Sequence, residues 1–218
     1  MKILVFDTET NGLPNSRHES IFNTVEFPYI LQLSYILYDS ECNKIITYKD
    51  AYVKDVEIKE ESFKINNISK DILDKKGENI KNVLNDFIDM MKMCDILVAH
   101  NYSFDKKIIM VECVRNQLFY KLNYVIKQKN NYCTMINSKN ICKIINTNYS
   151  HNNKYINNYK YPKLIELHKK LFNHEIESSN LHNSLIDCIY TLKCYCKMNY
   201  DINLFEINKE IIELENIY

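Results

Sequence analysis

The spacing of apolar residues along the chain predicts a set of strands followed by helices. An apolar run rich in branched residues occupies residues 3–6 and leads directly into Asp7 and Glu9, which predicts a buried central strand that ends in charge. Two further strands are predicted over residues 29–38 and 44–53, joined by a polar turn. Together with the first strand they are expected to form an antiparallel meander.

Later segments alternate between helical and strand patterns. A buried helical stripe follows Gly77, because apolar residues recur there at three- and four-residue spacing: Ile80, Val83, Leu84, Phe87, Ile88 and Met91. The remaining patterns predict a strand, a helix, a strand and three helices, over residues 95–99, 104–117, 132–136, 161–172 (with Pro162 at the start), 183–198 and 203–218. This order indicates an α/β domain with a mixed central sheet flanked by helices. We expect residues 1–200 to form the main domain and residues 201–218 a helical extension packed on it.

Asp7 and Glu9 are two positions apart on a predicted strand, so their side chains point to the same face. Two carboxylates crowded in this way are costly without a cation, and hard divalent ions such as Mg²⁺ or Mn²⁺ would relieve the repulsion. The alternative is an edge strand with two solvated acids. Two further acids come after apolar segments, Asp105 and Asp187, and the second is preceded by His182.

Three short motifs contain these residues: F-D-T-E-T-x-G at residues 6–12, H-N-x-x-F-D at residues 100–105 and H-N-x-L-x-D at residues 182–187. In this order they resemble the DEDD 3′-to-5′ exonucleases with a histidine in the third motif (DEDDh). That family includes the proofreading subunit of the bacterial replicative polymerase and ribonuclease T. The resemblance extends from residue 2 to about residue 198. It implies a ribonuclease-H-like fold with a mixed five-stranded central sheet flanked by helices.

The resemblance also implies a mechanism. Asp7, Glu9, Asp105 and Asp187 would hold two Mg²⁺ ions, with Mn²⁺ as a substitute, for metal-assisted phosphodiester hydrolysis. His182 would be the general base that takes a proton from the attacking water, and nucleoside 5′-monophosphates would be released. Taken by itself, His182 could instead be a surface or helix-capping histidine with no catalytic role.

The first two motifs supply the residues expected to bind the 3′ end of the substrate. Backbone amides near Gly12 could approach the terminal nucleotide, and Phe104 would either wedge against the base or belong to the core. His100 is expected to shape the turn before Asp105. The substrate-binding set is Thr10, Asn11, Gly12, Leu13, His100, Asn101 and Phe104.

Charge is balanced overall but segregated along the chain. The 218 residues carry 28 basic and 28 acidic side chains, yet no acid lies between Glu112 and Glu166, a segment rich in lysine and tyrosine. Basic groups and aromatic faces favour contact with nucleic acid, although a solvated basic face with core tyrosines is an equal alternative. The expected partner is nucleic acid with a free 3′ end, preferably single-stranded, and a polymerase or a second copy of the chain is an additional candidate.

Cysteine use and hydropathy bear on the compartment. The eight cysteines form no Cys-x-x-Cys pair and fall in apolar segments, which favours reduced thiols. No basic leader or membrane-spanning run is present, so we expect a soluble intracellular protein with no membrane contact.

Two rival functions follow from the same residues. One is an endonuclease on the same fold. It would need a third motif that differs from the observed spacing of His182 and Asp187. The other is a catalytically weak relative that only binds nucleic acid or attaches to a polymerase. The sequence leaves open DNA or RNA preference, the biological pathway and the oligomeric state.

Overall fold

A five-stranded mixed sheet forms the centre of the fold in the computed structural model, which describes residues 1–16, 18–146, 159–174, 176 and 182–216. The sheet order is β3-β2-β1-β4-β5. The antiparallel meander is confirmed, because β1 pairs with β2 and β2 with β3 in that sense, while β4 and β5 add in parallel. The strands are β1 Lys2–Thr10, β2 Ile30–Asp39, β3 Lys44–Tyr52, β4 Ile96–Ala99 and β5 Asn130–Cys133.

Helices cover both faces of this sheet, and a short 3₁₀ turn, Thr24–Glu26, precedes β2. The helices of the described residues are α1 Glu60–Asn66, α2 Lys70–Lys76, α3 Ile80–Met93, α4 Tyr102–Arg115, α5 Phe119–Ile126, α6 Thr134–Asn137, α7 Lys139–Cys142, α8 Leu164–Phe172, α9 Ser184–Tyr200, α10 Leu204–Ile207 and α11 Lys209–Glu215. None of these helices is both long enough and apolar enough to cross a bilayer.

Strand β1 divides the core into two layers because its side chains alternate between the two sheet faces. Leu4 and Phe6 pack with α3 and α4, and the Phe6 ring lies 5.2 Å from that of Phe87. Ile3 and Val5 pack instead against α9 and the C-terminal helices. The predicted α3 stripe is confirmed, since its interior residues are buried. The parity of β1 therefore decides which helix each later residue of the strand faces.

Three predicted elements have different limits. The fifth strand ends at Cys133 and not at residue 136, because its partner β4 ends at Ala99 and the ladder ends there. The helix predicted from residue 161 begins at Leu164, with Lys163 as its N-cap, so Pro162 lies outside it. The last helix is two helices, interrupted where the extended residue Asn208 caps α11.

Some elements were not predicted, namely α1, α2 and α5. Each has only seven or eight residues, which is too short for a periodic apolar pattern to stand out. The C-terminal helices pack on α9 and bury Leu204, Ile211 and Leu214 in its core layer. The division into residues 1–200 and 201–218 stays a prediction.

Candidate active site

Three predicted site residues meet at the boundary between β1 and α9. Glu9 has the parity of Ile3 and Val5, so it faces α9. Asn183 caps that helix, because its side-chain oxygen accepts hydrogen bonds from the backbone N–H groups of Leu185 and Ile186, and Asp187 lies in the first turn. One ligand atom from each of Glu9, His182 and Asp187 lies within 4.8 Å of the others.

Asp105 approaches Asp7 and Glu9 from α4, on the other side of the sheet, and its charge acts on both of them. Its carboxylate Oδ1 accepts hydrogen bonds from the backbone N–H of Thr8 at 3.1 Å and from the Thr8 hydroxyl at 2.8 Å. Thr8 has the opposite parity to Asp7 and Glu9, so the strand binds Asp105 on one face and presents its own acids on the other. Asp105 is only 2 % exposed. Its position is therefore fixed by two bonds from the central strand.

Burial raises the pKa of all four carboxyl groups. The pKa values of Asp7 and Glu9 lie well above their ordinary range, first because of burial and then because of the charges of Asp105 and Asp187. Burial raises the pKa of Asp105 and of Asp187 to about 7. A hydrogen bond from the Asn66 side chain partly offsets the rise at Glu9. Four acids that resist ionising together make a site that positive charge would stabilise.

The site offers carboxylate oxygens that a divalent cation could bind. Asp187 Oδ1 is buried and has no hydrogen-bond partner among the residues that the structure describes. A backbone hydrogen bond from His182 acts on the Asp187 carboxyl group and favours its charged form. Hard carboxylate oxygens are the ligands that Mg²⁺ and Mn²⁺ prefer. The residues present therefore fit the predicted metal site.

His182 lies where it was predicted, on loop backbone just before α9. Its φ of 68° is in the left-handed region, which sets the residue apart from the helix that follows. Partial burial and then the charge of Lys163 lower its pKa below the ordinary value. The imidazole is therefore neutral at neutral pH and is able to accept a proton.

In the first motif, Asn11 binds protein groups. Its side-chain oxygen accepts the Tyr29 N–H at 2.8 Å, and its amide donates to the Glu57 carbonyl at 2.9 Å. Its backbone N–H donates to the Tyr29 carbonyl at 3.0 Å. Asn11 thus fixes the loop after β1, and its own contact with substrate stays a prediction.

The rest of that loop is more open. The Thr10 hydroxyl donates to the Gly12 carbonyl at 2.7 Å, which closes the turn. A side chain at Gly12 would meet the end of Lys59, so a basic group lies beside the loop. Leu13 is 79 % exposed and is free to pack on a ligand.

In the second motif, His100 links three segments of the chain. Its Nδ1 lies 2.9 Å from the Thr134 hydroxyl and its Nε2 lies 3.1 Å from the Pro162 carbonyl. Burial lowers its pKa to about 4, so the ring is neutral, with Nε2 donating and Nδ1 accepting. Asn101 precedes α4 as its N-cap residue, and Phe104 packs against the core while partly buried. Substrate contacts by these three residues stay predictions.

Sequence reasoning missed three residues that shape the site: Thr8, Asn66 and Cys188. The Cys188 thiol is buried beneath the carboxylates and donates to the Ser34 carbonyl at 3.4 Å. The alternation of β1 could have indicated Thr8, since it sits between the two acids on the opposite face. Nothing local in the sequence indicates Asn66 or Cys188.

The basic, tyrosine-rich segment has mixed surroundings. Tyr120 and Tyr124 are 84 % and 72 % exposed on α5, whereas Tyr132 packs on Tyr195 with ring centroids 5.0 Å apart. Part of the segment, residues 147–158, lies outside the described residues. Tyr132 thus packs against the core, whereas contact of the exposed tyrosines with nucleic acid stays a prediction.

Four carboxylates and a histidine at the end of the central strand of a mixed sheet are an arrangement typical of metal-dependent hydrolases. A family model described as exonuclease, of the ribonuclease T type, matches residues 4–195. The chain belongs to this exonuclease family, as the three motifs predicted, and exonucleases of this family depend on metal ions. Among curated proteins, none matches the sequence significantly.

Solved structures of exonucleases share the fold. The zinc-bound complex of E. coli exonuclease I with single-stranded DNA is 18 % identical, with a TM-score of 0.64 over 94 % of this chain and 42 % of that one. The same enzyme with a dA16 oligonucleotide gives 18 % identity and a TM-score of 0.63 over 97 % and 45 % of the two chains. A 3′-exonuclease that recognises the histone mRNA stem-loop is 16 % identical, with a TM-score of 0.62 over 93 % of this chain and 83 % of that one.

These matches confirm the ribonuclease-H-like fold. The chain spans less than half the length of exonuclease I.

Proposed function

We propose that this chain is a 3′-to-5′ exonuclease that removes nucleoside 5′-monophosphates from the 3′ end of single-stranded nucleic acid. The observation that carries the proposal is the approach of Glu9, His182 and Asp187 to within 4.8 Å of one another, with Asp7 and Asp105 close enough for their charges to act on the same cluster. Asp187 Oδ1 is left without a partner among the described residues. The solved neighbours include complexes with single-stranded oligonucleotides, which supports the choice of substrate.

Asp7, Glu9, Asp105 and Asp187 are the proposed ligands of two Mg²⁺ ions, or of Mn²⁺ in their place. When bound, such ions supply a Lewis acid for the phosphoryl oxygens and make a water molecule more acidic. The protein supplies the charge, the dry surroundings and the fixed orientation of the ligands. Support comes from the raised pKa values of the four acids, which mark a site short of positive charge.

His182 is the proposed general base. A neutral imidazole at the rim of the site can take the proton of the attacking water, and its lowered pKa keeps it neutral through the neutral pH range. Its position on loop backbone before the helix leaves it room to move, whereas Asp187 is held one turn inside α9. The proton is then lost to solvent, and the 3′ oxygen of the shortened strand is protonated on release.

The 3′ end is proposed to bind along the loop after β1, with Leu13 packed on the terminal base. A compartment that keeps thiols reduced is part of the proposal, because all eight cysteines are free. Attachment to a polymerase or to a second copy of the chain stays a prediction.

The test uses matched single strands of DNA and RNA, each labelled at the 3′ nucleotide, with MgCl₂ or MnCl₂. We expect the labelled mononucleotide to be released as the first product, and the faster of the two strands identifies the preferred sugar. Asp7→Asn should abolish release, whereas the matched control Asp74→Asn, which changes an exposed acid on α2, should not. Internal fragments would indicate an endonuclease, and intact strands bound without cleavage would indicate a binding module.

A further inference from the structure

A closed ring of four hydrogen-bonded polar residues lies behind the site, joining β2 and β3 to the start of α9. The Gln32 amide donates to Asp50 Oδ1 at 2.6 Å, and the Ser34 hydroxyl donates to the same oxygen at 2.7 Å. The hydroxyl oxygens of Ser34 and Ser184 are 2.5 Å apart. The Ser184 backbone N–H donates to Gln32 Oε1 at 3.2 Å and closes the ring.

The chemistry of the four groups fixes the direction of every bond. A carboxylate only accepts, so both Gln32 and Ser34 must donate to Asp50. The Ser34 proton is then committed, which makes the Ser184 hydroxyl the donor to Ser34. A flipped Gln32 amide would set its oxygen against the carboxylate and its nitrogen against an N–H group. The ring thus has one arrangement of protons.

The ring lies next to the proposed metal ligands on both sides. In the register of the sheet, Ser34 stands opposite Asp7 and Gln32 stands opposite Glu9. Ser184 lies between His182 and Asp187 along the chain. The two β2 residues beside the acids of β1 are therefore the residues that hold the start of the helix carrying the other acid.

A second contact ties the same helix end to β3. Tyr52 follows Asp50 on the same face of β3, and a hydrogen bond joins its side chain to that of Asn183. Gln32, Ser34 and Ser184 are fully buried, where a hydrogen bond that loses its partner costs more than one at the surface. These bonds resist a sliding motion of α9 along the sheet.

We propose that the ring of Gln32, Ser34, Asp50 and Ser184 sets the separation between the carboxylates of β1 and Asp187, and that Asp50 is its anchoring residue. Asp50 is a positioning residue, since it acts through Ser34, Gln32 and Ser184. The inference rests on the proposed metal-dependent function and adds to it a residue from the edge strand of the sheet.

The test compares Asp50→Ala with Asp50→Asn, using Asp74→Ala as a matched control at an exposed acid. Asp50→Ala removes the acceptor of two bonds, whereas the amide oxygen of Asp50→Asn can accept both. The first measurement is the dissociation constant of Mn²⁺ for the substrate-free protein by titration calorimetry. The second is the separate determination of kcat and KM on a single-stranded oligonucleotide, and the third is Tm.

We expect Asp50→Ala to weaken Mn²⁺ binding about tenfold, the lower end of the effect of residues that orient metal ligands. It should lower kcat to a similar extent and leave KM unchanged. Asp50→Asn should recover most of both. Ser184→Ala, which removes one hydroxyl at a helix position, should show a smaller loss of the same kind.

Asp50→Ala would overturn the inference if it lowered Tm but matched Asp74→Ala in Mn²⁺ affinity and kcat, since the ring would then only support the fold. If Asp50→Ala does not fold, unchanged Mn²⁺ affinity in Ser184→Ala would overturn it as well. An unaltered parent protein that neither binds Mn²⁺ nor releases nucleotides would instead overturn the proposed function, and this inference with it.

Discussion

Replacing Asp187 by asparagine is expected to stabilise the metal-free protein while removing its response to metal. Asp187 is one of four acids in a buried cluster, and burial together with the charge of Asp105 raises its pKa to about 7. At pH 8 the carboxyl group of Asp187 is ionised in the folded protein, although burial and the charge of Asp105 both oppose its ionisation. An amide of the same shape carries no charge and can donate to a neighbouring carboxylate, so the folded state loses a repulsion.

The size of the effect follows from the pKa. A rise from the ordinary 3.8 to about 7 corresponds to an upper limit of about 4 kcal/mol, at roughly 1.4 kcal/mol per pKa unit. Water entry and relaxation of the cluster reduce the observed gain, and we expect about 2 kcal/mol. For a chain of this size that is an increase in Tm of about 4–8 °C.

The sign of the pH dependence follows from the same shift. Between about pH 4 and pH 7 the folded state keeps a proton that the unfolded state has released. The stability of the metal-free parent should therefore fall as pH rises through this window, by up to about 1.4 kcal/mol per pH unit for each such proton. Asp187→Asn should flatten the profile by the share that Asp187 contributes.

The assay is thermal unfolding of parent and variant at pH 5 and pH 8, in EDTA and in MnCl₂. At a Mn²⁺ concentration of 100 times its dissociation constant, the parent should gain about 2.7 kcal/mol, and the variant should gain little. Asp74→Asn is the control, because the same change at an exposed acid should leave both numbers unaltered. A variant that is less stable than the parent in EDTA at pH 8, or that keeps the full Mn²⁺ response, would refute the reasoning.

Four further predictions concern single residues of the site, of its supports and of the core between α8 and α9. His182→Ala should lower kcat by about 10²–10⁴ and remove the acidic limb of the pH profile, as expected for a general base. Thr8→Val should destabilise the protein by about 1–2 kcal/mol at pH 8, measured by urea unfolding, because Asp105 loses a buried hydroxyl donor. Asn183→Ala should cost about 1 kcal/mol, since its side chain caps two N–H groups of α9. Burial lowers the pKa of His168 to about 4, so its contribution to stability is present above pH 6.5 and is lost toward pH 4. His168→Gln should therefore reduce the stability difference between pH 7.5 and pH 5 by about 2 kcal/mol.

Each of these predictions has an outcome that contradicts it. Unchanged turnover in His182→Ala would remove that residue from the chemistry. Equal unfolding free energies for Thr8→Val and the parent would mean that the backbone N–H alone holds Asp105. If the unfolding free energy of Asn183→Ala equalled that of the parent, the bond from the Ser184 N–H to Gln32 would suffice to cap this end of α9. An unaltered pH profile in His168→Gln would assign the acid sensitivity to other groups.

The sequence determined the parts of the protein that depend on local order. The parity of β1 places Asp7 and Glu9 on one face, and the helical pattern over residues 183–198 places Asp187 one turn into α9, with His182 outside the helix. The motifs around these residues predicted the exonuclease family, and the family model confirms it over residues 4–195. Periodicity over a few residues is sufficient to place these side chains because it is a property of neighbouring positions, whereas the family follows from the resemblance of the three motifs.

Tertiary structure alone decided how these parts are held together. Thr8 binds Asp105 across 97 positions of the chain, and Ser34 meets Ser184 across 150. Nothing near either residue in the sequence specifies its partner, since a serine or threonine can donate to many acceptors. The choice is made when helices pack on the two faces of the sheet, because a buried hydroxyl must then find a partner within reach. The exact positions of the acids therefore depend on contacts that exist only in the folded chain.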